Sequence, residues 1–254
     1  MTINPIATWL TESPHSSFTD LNTLVILENA SPSDDVKSHL SQQLVEHRIP
    51  LQVVEDMTNV LGWKRVKSRL TPNLLQIRNG DFGEMLACQA LEVFGALEIP
   101  VKKIRFQINP NQTQPGADIV GLEFQDERIV ALHFVEAKFR TTGDTAAGNL
   151  AHTQLESWHR DEFDQIIMFI ASRLFESRSD LYAKFIDYLT SESSRADEFH
   201  IVLIWENEEW TDTVLLNIPG SSDDIDPLTV RTILIKDLAE LTSETYLRVE
   251  EFNP

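Results

Sequence analysis

Residues 116–140, GADIVGLEFQDERIVALHFVEAKFR, contain the pattern on which the fold assignment depends. Two runs rich in apolar and β-branched residues, 117–124 and 129–139, are separated by the polar link Gln125–Arg128. Runs of this length and composition, joined by a short polar link, predict two strands of a hairpin. In an antiparallel pair the start of the first strand lies beside the end of the second. The charged residues at those two strand ends are therefore expected to meet.

Three charged residues stand at these strand ends. Asp118 is at the start of the first strand, while Glu136 and Lys138 are two residues apart at the end of the second and so point to the same face. Two neighbouring carboxylates repel each other, and Mg²⁺, or Mn²⁺ in its place, removes that conflict. A metal held in this way supports phosphodiester hydrolysis, and a lysine stabilises the developing charge. The pattern predicts Asp118 and Glu136 as metal ligands and Lys138 as a catalytic cation.

An acid two residues before a lysine is a common pattern, so its context decides its meaning. Asp35-Val-Lys37 has the same spacing, but it stands at a predicted helix start and indicates a solvated face. Residues 129–135, which precede Glu136, include only one polar side chain, His133. Two charged side chains on a buried strand are costly unless they are paired or bind something. The alternative is an ordinary strand end that emerges into solvent, or a simple Glu136–Lys138 pair.

The rest of the sequence predicts an α/β protein with a mixed central sheet flanked by helices. Predicted helices cover residues 31–47, 81–95, 149–175 and 181–189, and further predicted strands cover 23–27, 51–54, 103–108, 199–205, 213–218 and 232–235. A helix, a hairpin, a long helix and another strand, in this order, are typical of α/β architecture.

The charge of the chain is strongly negative and unevenly distributed. The net charge of −19 argues against unaided binding to a polyanion, because neutralised phosphates supply most non-specific affinity for DNA. Residues 64–105, however, contain eight Lys or Arg against four acids. This distribution favours a protein that contacts nucleic acid on one side only, or one to which a partner brings the DNA.

The single cysteine, Cys88, excludes an internal disulfide and a cysteine-based zinc cluster, and its apolar helical setting indicates a small core residue. The low cysteine content is typical of a reducing compartment, and we expect a cytoplasmic protein. No apolar run reaches the roughly 20 residues of a membrane helix, so we expect no membrane association. His133 is interpreted as a core histidine with satisfied hydrogen bonds.

Three motifs resemble those of RecB-like nucleases in the PD-(D/E)xK superfamily. They are Gly116-x-Asp118, Glu136-x-Lys138 and Gln154-Leu-Glu-Ser-Trp158, where Trp158 stands in place of the tyrosine of the pattern. The resemblance implies a restriction-endonuclease-like α/β core with Gln154 in the active site. It also implies that Glu84 completes the metal site. The alternative role for Glu84 is an acid near a helix N-terminus that complements the helix dipole.

The closest resemblance is to the nuclease subunit of Hachiman-type bacterial anti-phage systems. It is carried over about residues 75–160 by Arg78-Asn-Gly-Asp-Phe-Gly-Glu84, Arg105-Phe, Gly116-Ala-Asp-Ile-Val-Gly121 and Phe134-Val-Glu-Ala-Lys138.

This resemblance implies a metal-dependent DNA nuclease that works with a helicase subunit encoded nearby. It implies an N-terminal α/β extension of residues 1–75 and a PD-(D/E)xK nuclease core of residues 76–254. The alternative is a non-catalytic subunit on the same fold that scaffolds or regulates a partner DNA-processing enzyme.

Overall fold

The fold is known from a computed structural model that describes residues 4–15, 21–107, 109–111, 116–191 and 196–251. The helices in these ranges are α1 (Pro5–Trp9), α2 (Asp34–Arg48), α3 (Leu51–Leu61), α4 (Trp63–Leu70), α5 (Leu75–Phe94), α6 (Ala147–Ser177), α7 (Ser179–Thr190), α8 (Thr213–Leu216) and α9 (Leu238–Glu251). The strands are β1 (Leu10–Pro14), β2 (Asn22–Glu28), β3 (Ile119–Gln125), β4 (Arg128–Arg140), β5 (Asp197–Glu206) and β6 (Leu228–Ile235).

The strands form one mixed sheet in the order β1-β2-β6-β5-β4-β3. The two outer pairs, β1–β2 and β3–β4, are antiparallel, while the inner pairs β2–β6, β6–β5 and β5–β4 are parallel. Helices cover both faces of the sheet. The predicted α/β class, with a mixed central sheet flanked by helices, is therefore confirmed, and the arrangement is consistent with a restriction-endonuclease-like core.

Two apolar layers, one on each face of the sheet, make up the core. One layer packs the sheet against α2, α5 and α9 and includes the buried rings of Phe82 and Tyr246. The other packs it against α6 and α7 and includes Phe134 and Trp205. Burial of each such ring contributes roughly 1.5–3 kcal/mol relative to its exposure, so both helical layers are firmly attached to the strands.

The predicted hairpin is present as β3 and β4. Asp126 and Glu127 connect the strands, and both have positive φ angles, 49° and 66°, as the tightest hairpin turns require. Ile119 pairs with Val135 across the two strands. Asp118, the residue before Ile119, is therefore directly opposite the residue after Val135, which is Glu136.

Three predicted strands are wrong. Residues 51–54 belong to α3, because Pro50 ends one helix and serves as the N-cap of the next. Residues 213–218 contain the short helix α8 rather than a strand. Residues 103–106 form a 3₁₀ turn in which only Ile104 is fully buried, so the alternation of side chains does not reflect a strand; residue 108 lies outside the described residues.

Other elements extend the sequence-based assignment. Helix α6 runs from Ala147 to Ser177, and the C-terminal helix α9 and the strand β1 were not predicted. Strand β2 pairs with β6, so residues from both sides of the proposed boundary at residue 75 share one sheet. The division into an extension and a nuclease core stays a prediction. In the described part of the chain, no helix combines the length and the apolar character needed to cross a membrane.

Candidate active site

Asp118 is held against strand β4 by two hydrogen bonds. Its backbone N–H donates to the carbonyl of Val135 at 3.2 Å, and its carboxylate Oδ2 accepts from the N–H of Ala137 at 3.0 Å. The second bond places the carboxylate beside the backbone between Glu136 and Lys138. The structure therefore brings together the three residues that the hairpin pattern predicted.

Lys138 connects Glu136 to helix α6. Its ammonium donates hydrogen bonds to Glu136 Oε1 and to the side-chain carbonyl of Gln154. Glu136 is 2% exposed and the Lys138 side chain 12% exposed. The alternative of a strand end that emerges into solvent is therefore wrong, and the Glu136–Lys138 pair exists as part of a larger buried group. Gln154 lies in this group, as the resemblance implied.

Lys103 is a second cation in the site, and no motif in the sequence predicted it there. Its ammonium contacts Asp118 Oδ1 at 3.2 Å and the carbonyl of Gly116 at 3.0 Å. Burial by itself lowers the pKa of Lys103, but the charges of Asp118 and Glu84 raise it, and the resulting pKa lies above its ordinary value. Lys103 is thus a charged partner of Asp118, as Lys138 is of Glu136.

Glu84 lies on α5 and approaches the same group from another element. Burial raises its pKa from 4.5 to about 8; the positive charge of Lys103 opposes this shift and the negative charge of Asp118 adds to it. These interactions place Glu84 within electrostatic reach of both residues. Because α5 begins at Leu75, Glu84 is far from the first helical turn. The alternative role of a dipole-complementing acid is therefore wrong.

The electrostatics of Glu136 are suited to a cation. Burial raises its pKa well above the ordinary value, the negative charge of Asp118 raises it further, and the positive charge of Lys138 lowers it. Its second oxygen, Oε2, is buried and has no hydrogen-bond partner among the described residues. A buried carboxylate oxygen without a partner, beside a second carboxylate, fits a divalent ion that takes oxygen ligands. Asp118 and Glu136 are the residues best placed to hold it, with Glu84 nearby on α5; among the described residues, the carboxylate oxygens of these three acids do not all lie within 4.8 Å of one another.

A second group of potential metal ligands lies on the opposite face of the sheet. His133, Glu198 and His200 each offer a ligand atom, and these atoms lie within 4.8 Å of one another. His133 Nδ1 and His200 Nε2 are 2.7 Å apart. Two nitrogens bound to one tetrahedral zinc ion at about 2.0–2.1 Å lie roughly 3.3 Å apart. The shorter distance indicates a hydrogen bond between the rings.

Hydrogen bonds also argue against a metal at these histidines. Arg231 donates from Nη1 to His200 Nδ1 at 2.8 Å and from Nε to Glu12 at 3.0 Å. With Nδ1 accepting, neutral His200 carries its proton on Nε2 and donates to His133, which in turn donates to Glu123 at 3.1 Å. A metal ion could bind Nε2 of His200 only if it displaced that proton. The interpretation of His133 as a core histidine with satisfied hydrogen bonds is confirmed.

Comparison with known protein families gives one match that spans nearly the whole chain. A family model described as HamA matches residues 5–249. No curated protein matches the sequence.

Proposed function

This chain belongs to the HamA family, which makes it a component of a Hachiman anti-phage defence system, and we propose that it is the metal-dependent DNA nuclease of that system. The observation that carries the proposal is the buried, unpartnered Oε2 of Glu136 beside the carboxylate of Asp118. A buried polar group without a partner lowers the stability of the fold. Groups of this kind are concentrated at sites of binding or catalysis.

The proposed roles follow from the contacts. Asp118, Glu136 and Glu84 would hold Mg²⁺, or Mn²⁺ in its place; a metal in such a site supplies activation of water and stabilisation of charge on the phosphodiester. Lys138 donates hydrogen bonds to oxygens of the scissile phosphate as their charge increases. Gln154 positions Lys138 by accepting one of its ammonium hydrogen bonds. Lys103 holds the Asp118 carboxylate beside β4.

The proposed substrate is DNA, which a helicase subunit encoded by a neighbouring gene delivers. The proposed location of the reaction is the cytoplasm. The net charge of −19 makes unaided capture of a polyanion unfavourable. Lys64 and Arg65 are exposed on α4, within the basic segment 64–105, and provide a local surface of the opposite sign. A partner that loads the strand would compensate for the repulsion from the remaining surface.

The test is cleavage of linear, circular and single-stranded DNA by the chain together with its helicase partner, with and without Mg²⁺. We expect Glu136→Gln and Lys138→Met to reduce the cleavage rate at least about 100-fold, as does removal of one group that stabilises transition-state charge. Lys37→Met is the matched control, because Asp35-Val-Lys37 has the same spacing and Lys37 pairs with Glu244 at the surface. Cleavage at the parental rate by the two site variants would overturn the proposed site.

The second candidate function is a non-catalytic subunit that scaffolds or regulates the partner enzyme, and the acidic net charge favours it. It predicts no Mg²⁺-dependent cleavage by the chain, alone or with its partner. Under this alternative, Glu136→Gln would leave the activity of the complex unchanged.

A further inference from the structure

A pocket of about 200 Å³ opens beside Asp118 and Lys103. Its deeper wall consists of the buried apolar side chains of Val101, Val120 and Ile166. The pocket is separate from the cluster around Lys138, but it shares Asp118 with it. Any occupant would therefore lie next to the proposed position of the scissile phosphate.

The outer wall of this pocket is one face of α6, formed by Glu162, Gln165 and Phe169. The ring of Phe169 is packed edge-on against Phe106, with centroids 5.4 Å apart. The guanidinium of Arg173 lies 4.7 Å from the Phe106 centroid and 5.5 Å from the Phe169 centroid. These contacts hold an aromatic ring in a fixed orientation at the pocket wall.

Two polar side chains of this wall have unused hydrogen-bonding capacity. Within the described ranges, no hydrogen bond or ion pair holds the side chain of Glu162 or Gln165. Glu162 Oε2 lies 4.0 Å from the position that a Cβ of residue 116 would occupy, and Gly116 has no Cβ. The carboxylate is thus directed toward the open space that this glycine leaves.

We propose that this pocket binds one unpaired nucleobase of the strand whose phosphate lies at Asp118. The proposal rests on the proposed nuclease function. An apolar wall, a fixed aromatic ring and a polar edge match a flat base with hydrogen-bonding groups along its rim. A base inside a duplex must first be unpaired and unstacked, which costs free energy, so the site prefers single-stranded or frayed DNA.

The polar edge also favours some bases over others. A carboxylate accepts hydrogen bonds and does not donate them, whereas an amide does both. Glu162 can therefore pair with the exocyclic amino group of cytosine, adenine or guanine. Thymine has no amino group, and its ring donor N3–H lies between two carbonyl oxygens that the carboxylate would repel. The pocket therefore disfavours thymine at this position.

The test uses single-stranded oligonucleotides in which an abasic site is moved through each position around the cut. We expect one position next to the cut at which the abasic site lowers kcat/KM about 5- to 150-fold, the range for loss of one stacked base. Phe169→Ala should lower kcat/KM on the intact strand by a similar factor and abolish the abasic penalty. Met168→Ala, an exposed neighbour on α6, is the control and should behave as the parent.

A second variant and a binding assay keep failures distinguishable. Glu162 is half-buried, so Glu162→Gln should leave the fold intact. This variant should discriminate less against thymine at the same position. The abasic series is also measured as binding to the Glu136→Gln variant by fluorescence anisotropy, which does not depend on cleavage. If the parent does not cleave DNA, but the abasic penalty on binding to Glu136→Gln disappears when Phe169→Ala is added, the nuclease function fails and the pocket stands. A penalty that Phe169→Ala leaves unchanged in both assays overturns the pocket.

Discussion

Replacement of Glu84 by glutamine should stabilise the chain in the absence of metal. The pKa of Glu84 is about 8 in the folded chain and 4.5 in the unfolded chain, so the folded state resists its ionisation. At pH 7 an unfolded glutamate is ionised while the folded one is largely protonated, and the difference corresponds to about 3 kcal/mol of lost stability. Glutamine has nearly the same shape and no charge to desolvate. For a chain of this length the gain amounts to about 6–12 °C in Tm.

The sign of the pH dependence is fixed by the raised pKa. Because the folded state binds the proton more tightly, the stability contribution of Glu84 is fully present below pH 4.5 and is lost as pH rises toward 8. The advantage of Glu84→Gln over the parent should therefore grow across this range and level off above it. The measurement is thermal unfolding in EDTA at a series of pH values, with Glu55→Gln on the exposed surface of α3 as control.

Magnesium should narrow the difference in stability between Glu84→Gln and the parent. An ion bound only by the folded parent adds about 2.7 kcal/mol when its concentration is 100 times Kd, and Glu84→Gln removes one of the proposed ligands. The parent should thus gain more Tm from Mg²⁺ than the variant does. A variant that melts at or below the parental Tm in EDTA at pH 8 would refute the reasoning, because Glu84 would then be stabilising as a charged group.

Three further predictions concern packing, charge and acid. Gly83→Ala should destabilise the chain by about 1–3 kcal/mol in urea unfolding, because the new Cβ would lie 2.9 Å from Phe139 Cβ. Gly80→Ala should stabilise α5 by up to about 1 kcal/mol, because a Cβ at this position has no atom within 4 Å. Lys103→Met should lower metal-free stability by about 3 kcal/mol, since it leaves buried acids without a cation, and Mg²⁺ should restore part of the lost Tm. Burial, Arg231 and His133 lower the pKa of His200 well below 6.5, so its ring should stay neutral in an NMR titration as pH falls through 6.5, and its contribution to stability should be lost below that pH.

Local patterns made part of the fold predictable. The hairpin and the proximity of Asp118, Glu136 and Lys138 follow from a two-residue period and one short link, all within 25 consecutive residues of sequence. Local patterns also led to the wrong prediction of a strand at residues 51–54, because they do not show which apolar residues are buried. Helix α3 buries only Val54 and leaves other apolar side chains exposed, so its apolar residues do not mark the core in the usual way.

The parts that could not be predicted depend on contacts between distant segments. Lys103 reaches Asp118 because a 3₁₀ turn directs its side chain inward, and no spacing in the sequence signals that turn. The pocket forms where residues 116–120 meet a face of α6 more than 40 positions later. Periodicity alone carries no information on which helix face lies over which strand end.

The row of hydrogen bonds from Glu12 through Arg231, His200 and His133 to Glu123 crosses the sheet from β1 to β3. A shift of any of these strands by one residue would turn its polar side chain to the other face of the sheet. The neighbouring polar side chains would then be buried without hydrogen-bond partners. Misaligned pairings therefore carry a heavy penalty that purely aliphatic strands would not impose. The row therefore specifies the register of the sheet, including that of the hairpin that carries Asp118 and Glu136.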